Sequence, residues 1–170
     1  MNKFLKRAGF ILMGLLLCVG LSACDGKAML QSIVSKTYTV TVQLEQYVTA
    51  LDSSNLVSQV RMVETPLKVT SSSLRFVADR VSDSGTKASI INVATTIDNV
   101  VAAIQTVDAA QVEDLRAQIL SSVAKTKEAL VLVASQLDID LNSIKARAGV
   151  TFADLMLSTS ELEASLKSLK

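Results

Sequence analysis

The sequence predicts an all-α protein, an antiparallel four-helix-type bundle with additional short helices toward the C-terminus. Apolar residues recur at steps of three and four along most of the chain, the spacing typical of helices packed along one face. Glycine and proline separate these segments, since beyond residue 25 only Gly26, Gly85, Gly149 and Pro66 occur. Four long segments with short connections predict helices that alternate in direction.

The first helix is predicted over residues 28–51. Residues 37–42 also alternate between polar and apolar and are rich in strand formers, so a strand is the competing interpretation. The helix is favoured because its apolar stripe continues on both sides and no other segment offers a strand a partner. The stripe comprises Ile33, Thr37, Val40, Leu44, Tyr47 and Leu51.

The second stripe contains Pro66. A proline removes one backbone hydrogen bond, so it either kinks the helix or restarts it with Thr65 as the cap. The stripe keeps its phase through the proline, which favours a kink. Asp52, Ser53 and Ser54 are the N-cap candidates of this helix. The stripe comprises Leu56, Val60, Val63, Leu67, Thr70, Leu74, Val77 and Val81.

Two further long helices follow. The third is predicted over residues 86–105, and Asp108 is the predicted cap of the fourth. The inward residues are Ile90, Ala94, Ile97, Val101 and Ile104 in the third helix, and Val112, Leu115, Ile119, Ser122, Thr126, Leu130, Val133 and Leu137 in the fourth.

The C-terminal part predicts two shorter helices. Residues 140–148 form one, ended by Gly149. Thr151 and Asp154 then have the spacing of a capping pair that opens the last amphipathic segment. Its apolar residues are Phe152, Leu155, Leu162, Leu166 and Leu169.

The N-terminus has the pattern of a secretory signal. Lys3, Lys6 and Arg7 precede the uncharged residues 8–23, which are fewer than the roughly 20 that a membrane-spanning helix needs. The segment ends in Leu21-Ser22-Ala23-Cys24. This tetrapeptide resembles the lipobox of bacterial lipoproteins, in which Leu, a small residue and Ala or Gly precede a Cys.

The resemblance implies that residues 1–23 are a signal peptide removed by signal peptidase II. It also implies a diacylglyceryl group on the thiol of Cys24 and an acyl chain, such as palmitate, on its new amine. Two or more chains give stable membrane attachment, at about 0.8 kcal/mol per buried methylene. Residues 24–27 are then a short linker and residues 28–170 a single domain.

Two expectations concern the position of this domain. Three extended residues after Cys24 reach about 10 Å, which would hold the domain against the bilayer. Asp25 resembles the sorting residue that retains lipoproteins of enteric bacteria on the inner membrane. The expected location is therefore the periplasmic face of the inner membrane, with the outer membrane as the alternative.

Composition excludes several functions. The chain has no histidine, so a Ser-His-Asp or Cys-His hydrolase cannot be built. After loss of the three signal cations, 14 basic residues face 16 acidic ones, interspersed along a chain with few aromatics, which argues against a nucleic-acid partner. Cys18 would leave with the signal and Cys24 would carry lipid. No thiol would then remain for a disulfide, a metal site or a nucleophile.

Four weak motifs have ordinary structural explanations. Ser122 and Lys125 match S-x-x-K, but neither S-D-N nor K-T-G accompanies them. Asp138, Asp140 and Asn142 open like a calcium loop, but Ser143 and Gly149 stand where that loop needs Gly and Glu. The adjacent carboxylates Glu113 and Asp114 suit a helix N-terminus, and Lys125 and Lys127 suit a solvated face. We therefore predict no catalytic, cofactor-binding or metal-binding residue.

The hydroxyls on or near the stripes allow two interpretations. Thr37, Thr41, Thr70, Ser122 and Thr126 either line a polar cavity or bond to carbonyls of the preceding turn, and the second is the commoner arrangement.

Three functional hypotheses follow. The first is a non-enzymatic, lipid-anchored accessory subunit of the bacterial cell envelope that binds another protein. The alternative is a carrier or sensor of a small apolar ligand held between helices. The third is self-association through spare apolar residues such as Val57, Val100 and Val131.

Overall fold

The computed structural model describes residues 3–52, 55–144 and 149–169, with side chains from residue 26 onward. This part of the chain is helical and contains no strand. The α-helices are α1 (Lys3–Thr49), α2 (Leu56–Met62), α3 (Glu64–Ala78), α4 (Ser84–Thr106), α5 (Val112–Leu137) and α6 (Phe152–Lys167), and Leu141–Ser143 form a 3₁₀ turn.

Helix α1 begins earlier than predicted, because its backbone is helical from Lys3 onward and includes the residues predicted as a linker. The strand interpretation of residues 37–42 is wrong. The hydroxyls of Thr37, Thr39 and Thr41 each donate to the carbonyl four residues earlier, at 2.7–3.0 Å. This local bond lets β-branched threonines remain in a helix.

The second stripe forms two helices, which corrects the predicted single kinked helix. Val63 lies between them, and its N–H donates to the carbonyl of Val60 at 3.2 Å. Pro66 is the third residue of α3, where the backbone N–H has no intrahelical acceptor in any case, so the proline is accommodated. The cap of α3 is Val63 and not Thr65. Asn55 is the N-cap residue of α2, and the candidates Ser53 and Ser54 lie outside the described residues.

Aspartates lie before both long central helices. The Asp83 side chain accepts from the Thr86 N–H at 2.6 Å and caps α4. Asp108 was predicted as the cap of α5, but Gln111 occupies that position. Asp108 instead accepts from the N–H groups of Ala110 and Gln111 and closes the preceding turn.

The segment between α5 and α6 differs from the predicted helix over residues 140–148. Asp138 ends α5 in the left-handed conformation, and Asp140 caps only the single 3₁₀ turn. Residues 145–148 of that predicted helix lie outside the described residues. Gly149 has a positive φ of 73°, a conformation that glycine adopts without strain.

The capping pair of α6 is confirmed. Thr151 accepts from the Asp154 N–H at 3.2 Å, and Asp154 accepts from the Thr151 N–H at 2.9 Å. The two side chains satisfy two otherwise unpaired N–H groups.

Helix α1 packs against α3, α5 and α6, while α4 packs against α3 and α5. Side-chain contacts give the directions. Thr37 bonds to Ser73 and Tyr47 meets Met62, so α1 and the α2–α3 segment run in opposite directions. Arg116 at the start of α5 donates to the carbonyls of Val48 and Thr49, while Gln31 donates to the Leu137 carbonyl. Lys36 donates to Ser165, and the ring of Tyr47 lies 5.5 Å from that of Phe152. Helices α5 and α6 therefore also run opposite to α1.

The predicted stripes form most of the buried core. Tyr47, Val81, Leu137, Phe152, Leu166 and Leu169 are only half-buried and lie at its margin. In α1 the structure buries Thr41 and Val48 more deeply than Tyr47, so the buried face is broader than the predicted stripe.

Helix α4 is the one helix of the described residues that is long and apolar enough to cross a membrane. Its apolar residues Ile90, Ala94, Ile97, Val101 and Ile104 are buried in the protein core. Such burial is typical of a core helix.

Two leucines of α5, two residues apart, test which residues form the buried core. Leu130 is fully buried, whereas Leu132 is 54% exposed. Leu130→Ala should lower the free energy of unfolding by about 2–5 kcal/mol because it leaves a cavity. The matched control Leu132→Ala should change it by less than about 0.5 kcal/mol. Urea denaturation followed by circular dichroism measures both, and equal effects would contradict the assignment.

A second test concerns the cap of α4. The hydrogen bond from the Thr86 N–H holds the pKa of Asp83 below its usual value. A carboxylate with a lowered folded-state pKa stabilises the protein above its unfolded-state pKa, and this contribution disappears as pH falls through the folded-state pKa. Asp83→Ala should therefore lower the Tm at neutral pH, and the difference from wild type should shrink below about pH 4. A difference in Tm that stays constant down to pH 2 would contradict this role.

Candidate binding groove between α3 and α6

The predicted lipidation and sorting residues lie within the backbone of α1. The side chains of Cys24 and Asp25 are outside the described residues. Lys27 is the first charged side chain described, and its ammonium lies 3.2 Å from the Asp138 carboxylate. In a helix, Lys27 is about 4.5 Å along the axis from Cys24, which is less than an extended linker reaches. In the structure, residues 24–27 are part of α1.

The S-x-x-K motif does not form a nucleophilic pair. The Ser122 hydroxyl is buried and donates to the Gln118 carbonyl at 2.8 Å. Lys125 lies one turn further along the helix and is exposed. The structural explanation of this motif, a buried serine beside a surface lysine, agrees with the geometry.

In the segment whose sequence opens like a calcium loop, the aspartates form backbone caps. Asp138 is the left-handed residue at the end of α5, and Asp140 accepts from the Asn142 N–H at 2.9 Å. In the parts of the chain that the structure describes, no three His, Cys, Asp or Glu side chains are grouped as metal ligands.

The charged pairs on α5 differ from each other. Glu113 and Asp114 are exposed in the first turn, and Glu113 lies 3.7 Å from Arg116. Lys127 was predicted on a solvated face together with Lys125, which is wrong for Lys127. It is half-buried and bonds to Glu45 of α1 at 2.8 Å.

The five stripe hydroxyls form hydrogen bonds within their own helices, which is the second of the two predicted arrangements. Each donates to the carbonyl four residues earlier at 2.7–2.8 Å, the donors being Thr37, Thr41, Thr70, Ser122 and Thr126. Thr37 also lies 2.9 Å from the Ser73 hydroxyl, which links α1 to α3. Their hydrogen bonds are thus satisfied inside the packed core.

A concave surface lies between α3 and α6. This groove has a volume of about 600 Å³. Four apolar side chains form its floor, and four cations and one carboxylate stand around them. The floor comprises Val69, Phe76, Leu166 and Leu169, and the charged residues are Lys68, Arg75, Arg80, Lys167 and Glu163.

Arg80 has a distinct geometry in this groove. Its guanidinium carbon lies 3.5 Å from the centre of the Phe76 ring, and one of its terminal nitrogens donates to the Phe76 carbonyl at 3.2 Å. Stacking on an aromatic face orients a guanidinium while leaving N–H groups at its edge free. Within the described residues, Arg80 forms no ion pair with a carboxylate.

The other three cations form ion pairs at the protein surface. Lys68 pairs with Glu64, Arg75 with Asp98, and Lys167 with Glu163, at 2.6–2.7 Å. Hydrogen bonds from Lys68 and then Gln105 lower the pKa of Glu64. These pairs are largely solvent-exposed, so each contributes little to stability and can exchange for another anion at small cost.

A few large apolar side chains are exposed elsewhere. Val131 and Leu132 are 50% and 54% exposed side by side on α5, and Leu157 is 63% exposed on α6. Val100, one of the residues predicted to be spare for self-association, is buried. Val57 is half-buried against the core, so Val131 is the only one of the three that is exposed.

The groove could not be predicted from the sequence because its two walls are distant in the chain. One signal was present: Val69 and Phe76 are seven residues apart and lie off the predicted stripe of α3, with cations beside them. Val69 and Phe76 indicate a second row of apolar residues on α3, separate from the predicted stripe. The sequence did not indicate which element would lie beside that row.

No protein-family model matches this chain, and no curated protein or solved structure matches it significantly.

Proposed function

We propose that this chain is a lipid-anchored, non-enzymatic accessory protein of the bacterial cell envelope that binds another protein close to the membrane. The observation that carries the proposal is the lipobox-like Leu21-Ser22-Ala23-Cys24 after a signal-like segment. A helical connection from Cys24 into α1 supports it, because such a connection fixes the domain beside its anchor.

The proposed architecture of the domain is an antiparallel four-helix bundle. Its four positions are taken by α1, the α2–α3 segment, α4 and α5. Contacts between α1 and α3, α3 and α4, α4 and α5, and α5 and α1 support a closed ring of neighbours. Helix α6 is an addition that packs against α1 and α3.

The helix connections of the proposed bundle lie at its two opposite ends. The end of α5 lies beside the start of the domain, as the pair between Lys27 and Asp138 indicates. The connection from α3 to α4 lies at the same end, because Gln136 near the end of α5 donates to Thr86 at the start of α4. The connection from α4 to α5 lies at the other end, beside Thr49. We place the first end at the bilayer, because it adjoins Cys24.

For the protein partner, the exposed pair Val131 and Leu132 is the best-supported contact surface. Two adjacent, half-exposed aliphatic side chains on a long helix suit the apolar part of a protein interface. The same surface also allows self-association of the chain, which is the competing occupant.

The second candidate function is a carrier or sensor of a ligand with apolar character. The groove between α3 and α6 favours it, because about 600 Å³ lies in the volume range of small-molecule sites. The packed hydroxyls of the core do not favour it, so the ligand would lie in this groove and not along the helix stripes.

The anchor is tested by the mass of the protein purified from bacterial membranes. Wild type should lack residues 1–23 and carry the added mass of a diacylglyceryl group and an acyl chain on Cys24. Cys24→Ser should abolish both the lipid and the cleavage. A wild-type protein without added lipid mass would contradict the proposal.

The protein partner is tested by crosslinking in membranes. Wild type should capture a discrete protein, and Leu132→Ser should capture much less of it.

Sorting by Asp25 is tested in an enteric host. Asp25→Ser should move the protein from the inner-membrane to the outer-membrane fraction in a density gradient, because the proposed retention signal is removed. Asp52→Ser, which removes a carboxylate outside the signal, is the control and should leave the distribution unchanged. An unchanged distribution for Asp25→Ser would remove the sorting role.

A further inference from the structure

We infer that the groove between α3 and α6 binds an anionic phospholipid, with its phosphate at Arg80 and Lys167 and its acyl carbons on the apolar floor. The inference rests on the proposed lipid anchor for the position of the groove at a bilayer. The binding chemistry itself is independent of the anchor.

Charge complementarity identifies the class of ligand. Four cations line the groove, three of them paired with a carboxylate at the surface, so the excess positive charge is that of Arg80. An apolar floor beside these cations matches a molecule that carries an anion on an acyl chain. A free phosphate would use the cations alone, and a neutral lipid would use the floor alone.

Arg80 provides the specific contact. Its guanidinium is held on the Phe76 ring, and no described carboxylate occupies its free edge. A planar, oriented guanidinium binds the oxygens of a phosphate in two-point geometry with little loss of side-chain freedom. Lys167 lies across the groove on α6, and its side chain is 70% exposed. Its ion pair with Glu163 is therefore weak, and the lysine can exchange this partner for another anion.

The end of the groove that carries Arg80 lies toward the anchor. Ser73 of α3 bonds to Thr37 of α1, and the two segments run in opposite directions. Seven residues further, Arg80 is level with Leu30, which is six residues or about 9 Å along the helix from Cys24. Similarly, Ser165 is level with Lys36, so the end of α6 approaches the same plane.

This distance fits a lipid headgroup. The polar layer on each side of a bilayer is about 5–8 Å thick. A groove end about 9 Å from the lipidated residue therefore lies at the outer boundary of that layer. A phospholipid bound there would keep its phosphate at this layer and turn an acyl chain out of the bilayer onto the floor, because Phe76 and Val69 lie further from Cys24 than Arg80 does.

The test is a titration of the full chain, purified from membranes in neutral detergent. Its intact mass is measured first and shows whether the signal peptide has been removed and lipid added. The probe is dihexanoyl phosphatidylglycerol, a short-chain anionic phospholipid, followed by amide NMR shifts. Dihexanoyl phosphatidylcholine and inorganic phosphate are titrated in parallel. We expect saturable shifts on α3 and α6 with the anionic lipid, and at least tenfold weaker binding of the other two probes.

Variants separate the groove from general charge attraction. Arg80→Gln should weaken phosphatidylglycerol binding about tenfold, since one charge-assisted contact is lost. Lys87→Gln removes a cation near the start of α4, outside the groove, and should leave the affinity within about twofold. Arg80 is exposed and Lys87 is half-buried, and circular dichroism verifies the fold of each variant.

Several outcomes would overturn the inference. Equal binding of both phospholipids would remove the role of the cations, and equal binding of inorganic phosphate would remove that of the floor. Equal losses for Arg80→Gln and Lys87→Gln would show unspecific attraction. Shifts of the groove resonances with protein concentration alone would identify a second copy as the occupant. Failure of the lipid anchor is a separate result, because the intact mass reports it and the titration needs no bilayer.

Discussion

Helix α1 is the element against which α3, α5 and α6 all pack, and the rest of the structure depends on these contacts. Its buried face carries Ile33, Val34, Val40, Leu44 and Val48, each at most 1% exposed. The hydroxyls of Thr37 and Thr41 on the same helix donate to carbonyls of the preceding turn, so these threonines can be buried without leaving an unpaired hydroxyl. The same helix contains the backbone of Cys24, so the residue of the proposed anchor is part of the helix that organises the core. In the proposed function, lipid on Cys24 holds this helix at the membrane.

Most of the helices could be predicted from the sequence, for a physical reason. Burial along one helix face imposes a three- and four-residue spacing, and residues such as Ile90, Ile97 and Ile104 report it directly. Thr151 and Asp154 marked the start of α6 because a capping pair depends only on local spacing. The break at Val63 was missed, since an unbroken apolar phase does not reveal whether the backbone between two helical turns stays helical.

The candidate site was harder to predict than the helices. Its walls are α3 and α6, whose residues Phe76 and Leu166 are 90 positions apart in the chain. Neighbours of this kind are set by packing of the whole chain and not by local pattern. The proposed anchor differs from the groove in this respect. Cys24 and the residues before it form a local motif that can be recognised in the sequence, whereas their side chains lie outside the described residues.

The central claim is that the domain lies against a bilayer with the α3–α4 connection facing it. A mature lipoprotein would have no free thiol, so single cysteines introduced at Asp79 or Ala109 allow specific labelling. With α4 between them, these positions are about 35 Å apart along the helix direction. Fluorescence of a label on Asp79→Cys in lipid vesicles should be strongly quenched by headgroup spin labels, and that on Ala109→Cys should not. Equal quenching of the two labels, or stronger quenching at residue 109, would contradict the proposed orientation.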